Sequence, residues 1–281
     1  MDIYSAHFGL SERPFALSPD PDFLFWSDQH RRAFSMLEYG VLTHAPITLI
    51  TCEVGSGKTT LLHHLLRSVE DDVRIGLVSN AQGDRGELVR WVLLALDQPP
   101  REGATYVELF GQLQAFLVDE YAAGRRVILI FDEAQNLSRE SLEELRMFTN
   151  INSGKDELLQ LVLVGQPELR QMVERPDLSQ FAQRIASSFH LTAMSHPMMA
   201  EYVSHRLRVA GTEDRLFTED ALALIYQATR GVPRLVNKLC DMGLVYAFSA
   251  DDGLVDGDTI RQVLDDGAFI GGHVPDENEV E

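Results

Sequence analysis

The chain has 281 residues, 45% of them hydrophobic and 24% charged, a composition that excludes a disordered or fibrous protein. Its apolar runs are too short to span a bilayer, which takes about 20 residues, and the N-terminus has no secretory signal pattern. Asp and Glu number 43 against 24 Lys and Arg, a net charge of −19 that disfavours DNA binding because such a surface repels phosphates. Cys52 and Cys240 provide no disulfide framework, so we expect a cytoplasmic protein.

Residues 1–27 are rich in aromatic residues and prolines and predict an extended arm full of turns. Ser27 or Asp28 is expected to cap a helix that runs to about Thr43. From residue 28 to residue 192, short apolar strands alternate with helical patterns, the strands being ITLIT, VRIGLVS, RVILIF, LLQLVLVG and SSFHL. Because parallel strands need crossover connections, this alternation predicts an α/β domain with a parallel sheet covered on both faces.

The strand signal ends near residue 193. Four helical segments fill residues 193–270 and predict a small helical bundle. Residues 271–281 are polar and acidic, and we expect them to be disordered.

The segment TCEVGSGKTT, residues 51–60, lies between an apolar strand and a helix with an apolar face. In a phosphate-binding loop, backbone N–H groups wrap the phosphates, a lysine reaches the terminal phosphates, and a hydroxyl holds Mg²⁺. The sequence therefore predicts a nucleotide site. The residues expected to contact the nucleotide are Glu53, Val54, Gly55, Ser56, Gly57, Lys58, Thr59 and Thr60.

Cys52 stands where the first glycine of the pattern G-x-x-x-x-G-K-[ST] is expected. A positive φ at this position would cost a non-glycine residue roughly 1–2 kcal/mol, whereas an ordinary φ would tolerate a small side chain. We interpret the loop as functional in either case. Cys52 is either a tolerated buried residue or a thiol whose oxidation hinders nucleotide binding.

Asp132 and Glu133 end the apolar strand RVILIF. Acidic residues there often cap the next helix, but they also suit ATP hydrolysis opposite a phosphate-binding loop. Asp132 would then hold Mg²⁺ through water, and Glu133 would orient and deprotonate the attacking water. Both motifs follow strands of one predicted parallel sheet, so we expect them to share its ligand crevice.

Three further polar residues lie where they fit this chemistry. Gln166 follows another buried strand and either caps the next helix or contacts the γ-phosphate or the water. Arg184 precedes the last strand and is either a surface charge or, in a ring, a group that reaches the neighbouring subunit's ATP. Arg234 follows Pro233 at a helix start, from which it can bend back to the phosphates.

The succession of the glycine loop, LIFDEAQ, LVLVGQPEL, QRI and GVPRLVNKLC resembles AAA+ ATPases. This resemblance implies a P-loop core of three α/β/α layers followed by a small helical lid. The arm HFGLSERPFALSPDPDFLF resembles the general secretion pathway protein A (ExeA) family, which includes ATPases linked to MSHA-type pili and to exosortase-associated polysaccharide genes. The similarity runs from about Tyr4 to Asp265.

The resemblance implies roles for individual residues. Lys58 would bind the phosphates of ATP, Thr59 and Asp132 would hold Mg²⁺, and Glu133 would be the catalytic base. The residues similar to the first sensor, the trans-acting arginine finger and the second sensor are Gln166, Arg184 and Arg234. The family's arm packs near the adenine pocket, so the segment from Phe23 to Trp26 is expected there.

The resemblance also implies partners: further copies of this chain in an ATP-dependent oligomer such as a ring, and a membrane-linked protein. Longer members continue into a membrane helix and a periplasmic region, which these 281 residues lack. We therefore expect no direct membrane insertion and a location at the inner membrane through the partner. The implied role is assembly of a secretion, pilus or exopolysaccharide system. The alternatives are a DNA-binding regulator of the TniB type, which the charge disfavours, and a nucleotide-switched scaffold with little turnover, which Glu133 disfavours.

Overall fold

The computed structural model describes residues 3–18, 20–53, 55–68, 72–79, 87–152 and 157–272. Two predictions fall outside the described residues: the phosphate contact of Val54 and the disorder of residues 273–281. The chain divides into two compact units. The helical unit comprises Met1–Asp28, Glu53–Thr60 and Thr192–Glu281, and the sheet unit comprises Gln29–Cys52 and Leu61–Leu191.

The sheet unit contains, in the described part of the chain, five parallel strands in the order β2-β3-β4-β1-β5. Their bounds are β1 (Ile47–Cys52), β2 (Val73–Ser79), β3 (Arg126–Asp132), β4 (Leu159–Gly165) and β5 (Ile185–Leu191). The predicted parallel sheet is confirmed. In the register, Phe131 pairs with Leu163 and Thr51 pairs with Gly165, so β3, β4 and β1 end at the same edge.

One helix precedes the first strand, and the others lie between successive strands. Their bounds are α1 (Asp28–Leu42), α2 (Lys58–Ser68), α3 (Glu87–Ala95), α4 (Tyr106–Ala122), α5 (Arg139–Phe148), α6 (Pro167–Val173) and α7 (Ser179–Ala182). Thr105 caps α4 in a capping box, in which its side chain and that of Glu108 accept each other's backbone N–H groups. The helical pattern after β4 is broken before Pro176, because the residue preceding a proline favours extended backbone, as Arg175 shows with ψ 143°.

Side chains on the two faces of the sheet contact different helices. One face carries the apolar side chains that pack in a single core with α3, α4, α5 and α6, among them Leu49, Leu129 and Leu161. The other face meets α1. There Gln160 Nε2 donates to the carbonyl of Gly40 at 3.2 Å, and a Cβ at Gly40 would lie 2.1 Å from Thr48 Oγ1. These contacts confirm the predicted α/β/α layering.

The helical unit contains, among its described residues, four helices after the sheet: α8 (His196–Val209), α9 (Glu219–Thr229), α10 (Pro233–Ser249) and α11 (Gly257–Asp265). Thr218 caps α9 and Asp256 caps α11, each accepting a backbone N–H with its side chain. The predicted bundle of four helical segments is confirmed. Among the described helices, none combines the length and hydrophobicity that a bilayer-spanning segment requires.

The N-terminal arm is part of the core of the helical unit. Its apolar side chains are buried together with those of α8 to α11, namely Tyr4, Phe8, Leu10, Phe15 and Phe23. Polar contacts fix the same segment: the Tyr4 hydroxyl and the Arg13 guanidinium both donate to the Asp241 carboxylate. The Arg206 guanidinium, which is buried, lies 4.6 Å from the centre of the Phe23 ring. The arm is therefore packed as a structural element of this unit.

Candidate functional site

The glycine loop starts where β1 ends. Gly55 and Gly57 have φ values of 78° and 104°, in the left-handed range that glycine adopts without strain. The backbone N–H of Ser56 donates to the carbonyl of Glu53 at 3.1 Å, which closes the turn before α2 begins at Lys58. α2 starts directly after the loop, at Lys58. The binding of phosphates by its N-terminal N–H groups and by Lys58 stays a prediction.

The structure brings Arg234 next to this loop within the helical unit. A Cβ at Gly55 would lie 2.8 Å from the Cβ of Arg234 and 3.4 Å from Val232 Cγ1. Gly55 is thus required both by its positive φ and by the close approach of α10. Arg234, the residue similar to the second sensor, therefore lies beside the glycine loop. Its contact with the phosphates stays a prediction.

Cys52 is the last residue of β1, pairs with Leu191 of β5, and is 1% exposed. It is not among the described non-glycine residues with positive φ, so its backbone does not demand glycine. This geometry supports the interpretation of Cys52 as a tolerated small residue in a buried strand. Its oxidation as a control on nucleotide binding stays a hypothesis.

Asp132 ends β3, and Glu133 follows it in the left-handed region with φ 55° and ψ 38°. That conformation is uncommon for a residue other than glycine and costs of order 1–3 kcal/mol, a cost that concentrates at functional sites. The backbone N–H of Glu133 donates to Asp132 Oδ1 at 2.8 Å. Glu133 makes no side-chain capping bond to the described 3-10 helix that follows, which removes the helix-cap interpretation for this residue.

Two side-chain amides converge on the Glu133 carboxylate. Gln135 Nε2 donates to Glu133 Oε2 at 2.6 Å, and Gln166 Nε2 donates to the same oxygen at 3.3 Å. Gln166 makes no side-chain capping bond to the described helix α6, so its amide points to Glu133 instead. The structure thus joins two predicted site residues. It adds Gln135, which lies within the motif LIFDEAQ but has no sequence signal of its own.

Arg184 is held at a different place in the sheet unit. Its guanidinium donates to Thr149 Oγ1 at 3.1 Å and to Asn150 Oδ1 at 2.6 Å, both in the 3-10 turn after α5. These two bonds fix the direction of the side chain just before β5. Its predicted action on a neighbouring subunit's ATP stays a prediction.

The aromatic end of the arm is used within the helical unit. Phe23 is 4% exposed beneath Arg206, and the Phe25 ring packs against Tyr202 with centroids 5.6 Å apart. The expectation that the segment from Phe23 to Trp26 contacts adenine stays a prediction.

Comparisons with known proteins define the class of protein to which this fold belongs. A sequence model of the AAA domain matches residues 41–173, a range that includes the glycine loop and both carboxylates. The Aeropyrum pernix ORC2 protein in ADPNP–ADP complexes aligns with a TM-score of 0.64 and 18% identity, over 95% of this chain and 73% of that one. Drosophila ORC bound to DNA aligns with a TM-score of 0.67 and 14% identity, over 91% of this chain and 64% of that one. The chain has the P-loop AAA+ fold.

Sequence similarity narrows the class to a family. General secretion pathway protein A of Aeromonas hydrophila is 39% identical over 247 residues, which are 88% of this chain and 45% of that protein. The chain belongs to the general secretion pathway protein A family of AAA+ ATPases, as the arm and the motifs predicted. It spans less than half the length of this relative.

Proposed function

We propose that the chain binds and hydrolyses ATP, and that it uses the cycle to assemble or remodel a cell-envelope system through a protein partner. The observation that carries the ATPase proposal is the clamped carboxylate of Glu133. It follows a buried strand in a strained conformation, and it accepts amide hydrogen bonds instead of capping a helix. Membership of the family and the nucleotide complexes of the ORC2 neighbour agree with this chemistry.

The residues of the loop fit ATP. Positive φ at Gly55 and Gly57 turns the backbone as phosphate wrapping requires, and the space beside Gly55 is too small for a side chain. Lys58 would bind the terminal phosphates, and Thr59 and Asp132 offer the oxygen ligands that Mg²⁺ prefers. When bound there, Mg²⁺ neutralises charge that develops on the phosphates.

Glu133 would act on the water that attacks the γ-phosphate. The glycine loop and Glu133 both lie within the residues that match the AAA domain, and we propose that they act on the same nucleotide. Glu133 would orient the water and take its proton, while the Gln166 amide holds the carboxylate in place. Arg234, beside the loop, would link nucleotide binding to the helical unit.

Replacing Glu133 with glutamine tests this role. A general base contributes about 10²–10⁴-fold to a rate, so Glu133→Gln should lower kcat by that factor while ATP stays bound. The matched control is Glu168→Gln, because Glu168 is an exposed carboxylate in the first turn of α6. Unchanged turnover in Glu133→Gln would contradict the assignment.

Arg184 would complete the site of a neighbouring subunit in an oligomer. Its two hydrogen bonds hold a cation in a fixed direction, which suits contact with a charged group across an interface. Mixing two inactive variants, Lys58→Ala and Arg184→Ala, should restore activity, because some interfaces then pair an intact loop with an intact arginine. Random mixing in equal amounts into a head-to-tail ring should return about a quarter of the wild-type rate. A mixture as inactive as its components would contradict action in trans.

The partner would be a membrane-linked protein of a secretion, pilus or exopolysaccharide system, with the chain held in the cytoplasm at the inner membrane. The name of the Aeromonas relative, general secretion pathway protein A, supports this destination. Glu133→Gln, which should retain ATP, is expected to accumulate in the membrane fraction of cells, and Lys58→Ala is not. Equal distribution of the two variants would contradict an ATP-dependent envelope partner.

A further inference from the structure

Gln135 uses both ends of its side-chain amide. The Nε2 group donates to Glu133 Oε2 at 2.6 Å, and Oε1 accepts the backbone N–H of Gln166 at 3.0 Å. The first bond is shorter than the usual N–H···O hydrogen bond. One side chain therefore joins the residue that follows β3 to the residue that follows β4.

The end of β4 is shaped to admit this side chain. A Cβ at Gly165 would lie 2.8 Å from Gln135 Oε1, 2.9 Å from Leu169 Cδ2 and 3.2 Å from the backbone nitrogen of Gln135. Gly165 is not among the described glycines with positive φ, so its backbone conformation does not require glycine. The space that Gln135 and Leu169 occupy explains why glycine stands at position 165.

We propose that Gln135 is a positioning residue that fixes the Glu133 carboxylate relative to Gln166 for ATP hydrolysis. This inference rests on the proposed function, in which Glu133 is the general base. A carboxylate with one restrained oxygen keeps a single orientation, and a displacement of about 1 Å in a reacting group can cost 10²-fold in rate. Gln135 contacts the groups that act on the water, so its loss should lower kcat and leave ATP affinity unchanged.

Two near-isosteric substitutions distinguish the donor role of the Gln135 amide from its acceptor role. Gln135→Glu keeps an acceptor for the Gln166 N–H but replaces the donor to Glu133 with a like charge. Gln135→Met fills the same space and has neither group. We expect kcat to fall about 10-fold in Gln135→Met and up to 10²-fold in Gln135→Glu, with the Kd for ATP within about 2-fold of wild type. The control is Gln114→Glu, because Gln114 is exposed on α4 of the same unit.

Gly165→Ala tests the hydrogen bonds of Gln135 to Glu133 and Gln166 through the residue that leaves space for the Gln135 side chain. Its added methyl group would displace the Gln135 amide, so this variant should lose kcat to the same degree as Gln135→Met. The double variant should be no slower than either single one, because both changes remove one shared interaction. Additive losses of kcat in the double variant of Gly165→Ala and Gln135→Met would contradict a shared positioning role.

Glu133→Gln, measured beside these variants, separates the inference from the proposed function. Normal turnover in Glu133→Gln would remove the proposed function. Abolished turnover there, with wild-type or raised kcat in both Gln135 variants, would overturn only the inference. A readout independent of turnover is the melting temperature of Glu133→Ala, Gln135→Ala and their double variant. Non-additive shifts support the contact, and additive shifts contradict it.

Discussion

Shortening Phe15 to alanine should destabilise the helical unit from within its N-terminal arm. Phe15 is 1% exposed, and its ring meets the Phe217 ring edge to face with centroids 5.8 Å apart. Truncation of a buried phenylalanine costs about 3–5 kcal/mol, through lost burial and the cavity that remains. Because whole domains are stable by about 5–15 kcal/mol, this loss is a large share of the free energy of unfolding.

The two tryptophans of the chain allow each unit to be followed separately. Trp26 lies in the helical unit and Trp91 in the sheet unit. In a Trp91→Phe background, urea unfolding monitored by Trp26 fluorescence therefore reports the helical unit. The matched control is Leu17→Ala, because Leu17 is 54% exposed on the same arm and should change stability by no more than about 0.5 kcal/mol. If Phe15→Ala lowers the free energy of unfolding by less than about 1 kcal/mol, the arm is not part of this core.

Two further predictions concern the loop and a charged pair. Gly55→Ala and Gly9→Ala both place a side chain at positive φ, but only the Cβ at Gly55 would contact Arg234, at 2.8 Å. Gly55→Ala should therefore weaken the binding of a fluorescent ATP analogue, and Gly9→Ala should not. Equal affinities of the two variants would contradict this contact. Hydrogen bonds from the Arg125 guanidinium lower the pKa of Glu120. The ionised Glu120 carboxylate therefore stabilises the fold at neutral pH, and this stabilisation is lost as the pH falls through the lowered pKa. The melting temperature of Glu120→Gln should therefore lie below that of wild type at neutral pH and approach it in acid, and a gap that widens in acid would contradict the pair.

The strands and helices could be predicted because their signals are local. Each strand of the sheet is a short apolar run, and VRIGLVS matches β2, Val73–Ser79, residue for residue. Proline and capping residues likewise mark the starts of α9, α10 and α11. The glycine loop and the pair Asp132 and Glu133 at the end of β3 each occupy a few consecutive residues, so the sequence alone indicated both motifs.

The contacts that the sequence did not predict join distant residues. The bond from Tyr4 to Asp241 spans 237 positions, and no periodicity in the arm indicates that its aromatic residues complete a helical core. The role of Gln135 depends on the space beside Gly165, which exists only once β3 and β4 are adjacent. The proposed action of Arg184 would depend on a second subunit, so neither the sequence nor one folded chain defines its target.

The steady-state rate of ATP hydrolysis per subunit, measured over a wide range of protein concentration, tests the central claim most directly. Wild type should hydrolyse ATP in the presence of Mg²⁺. Its specific activity should rise with concentration, because in the proposed oligomer neighbouring subunits complete the sites. Lys58→Ala should be inactive at every concentration. A wild-type rate equal to that of Lys58→Ala throughout would contradict the account.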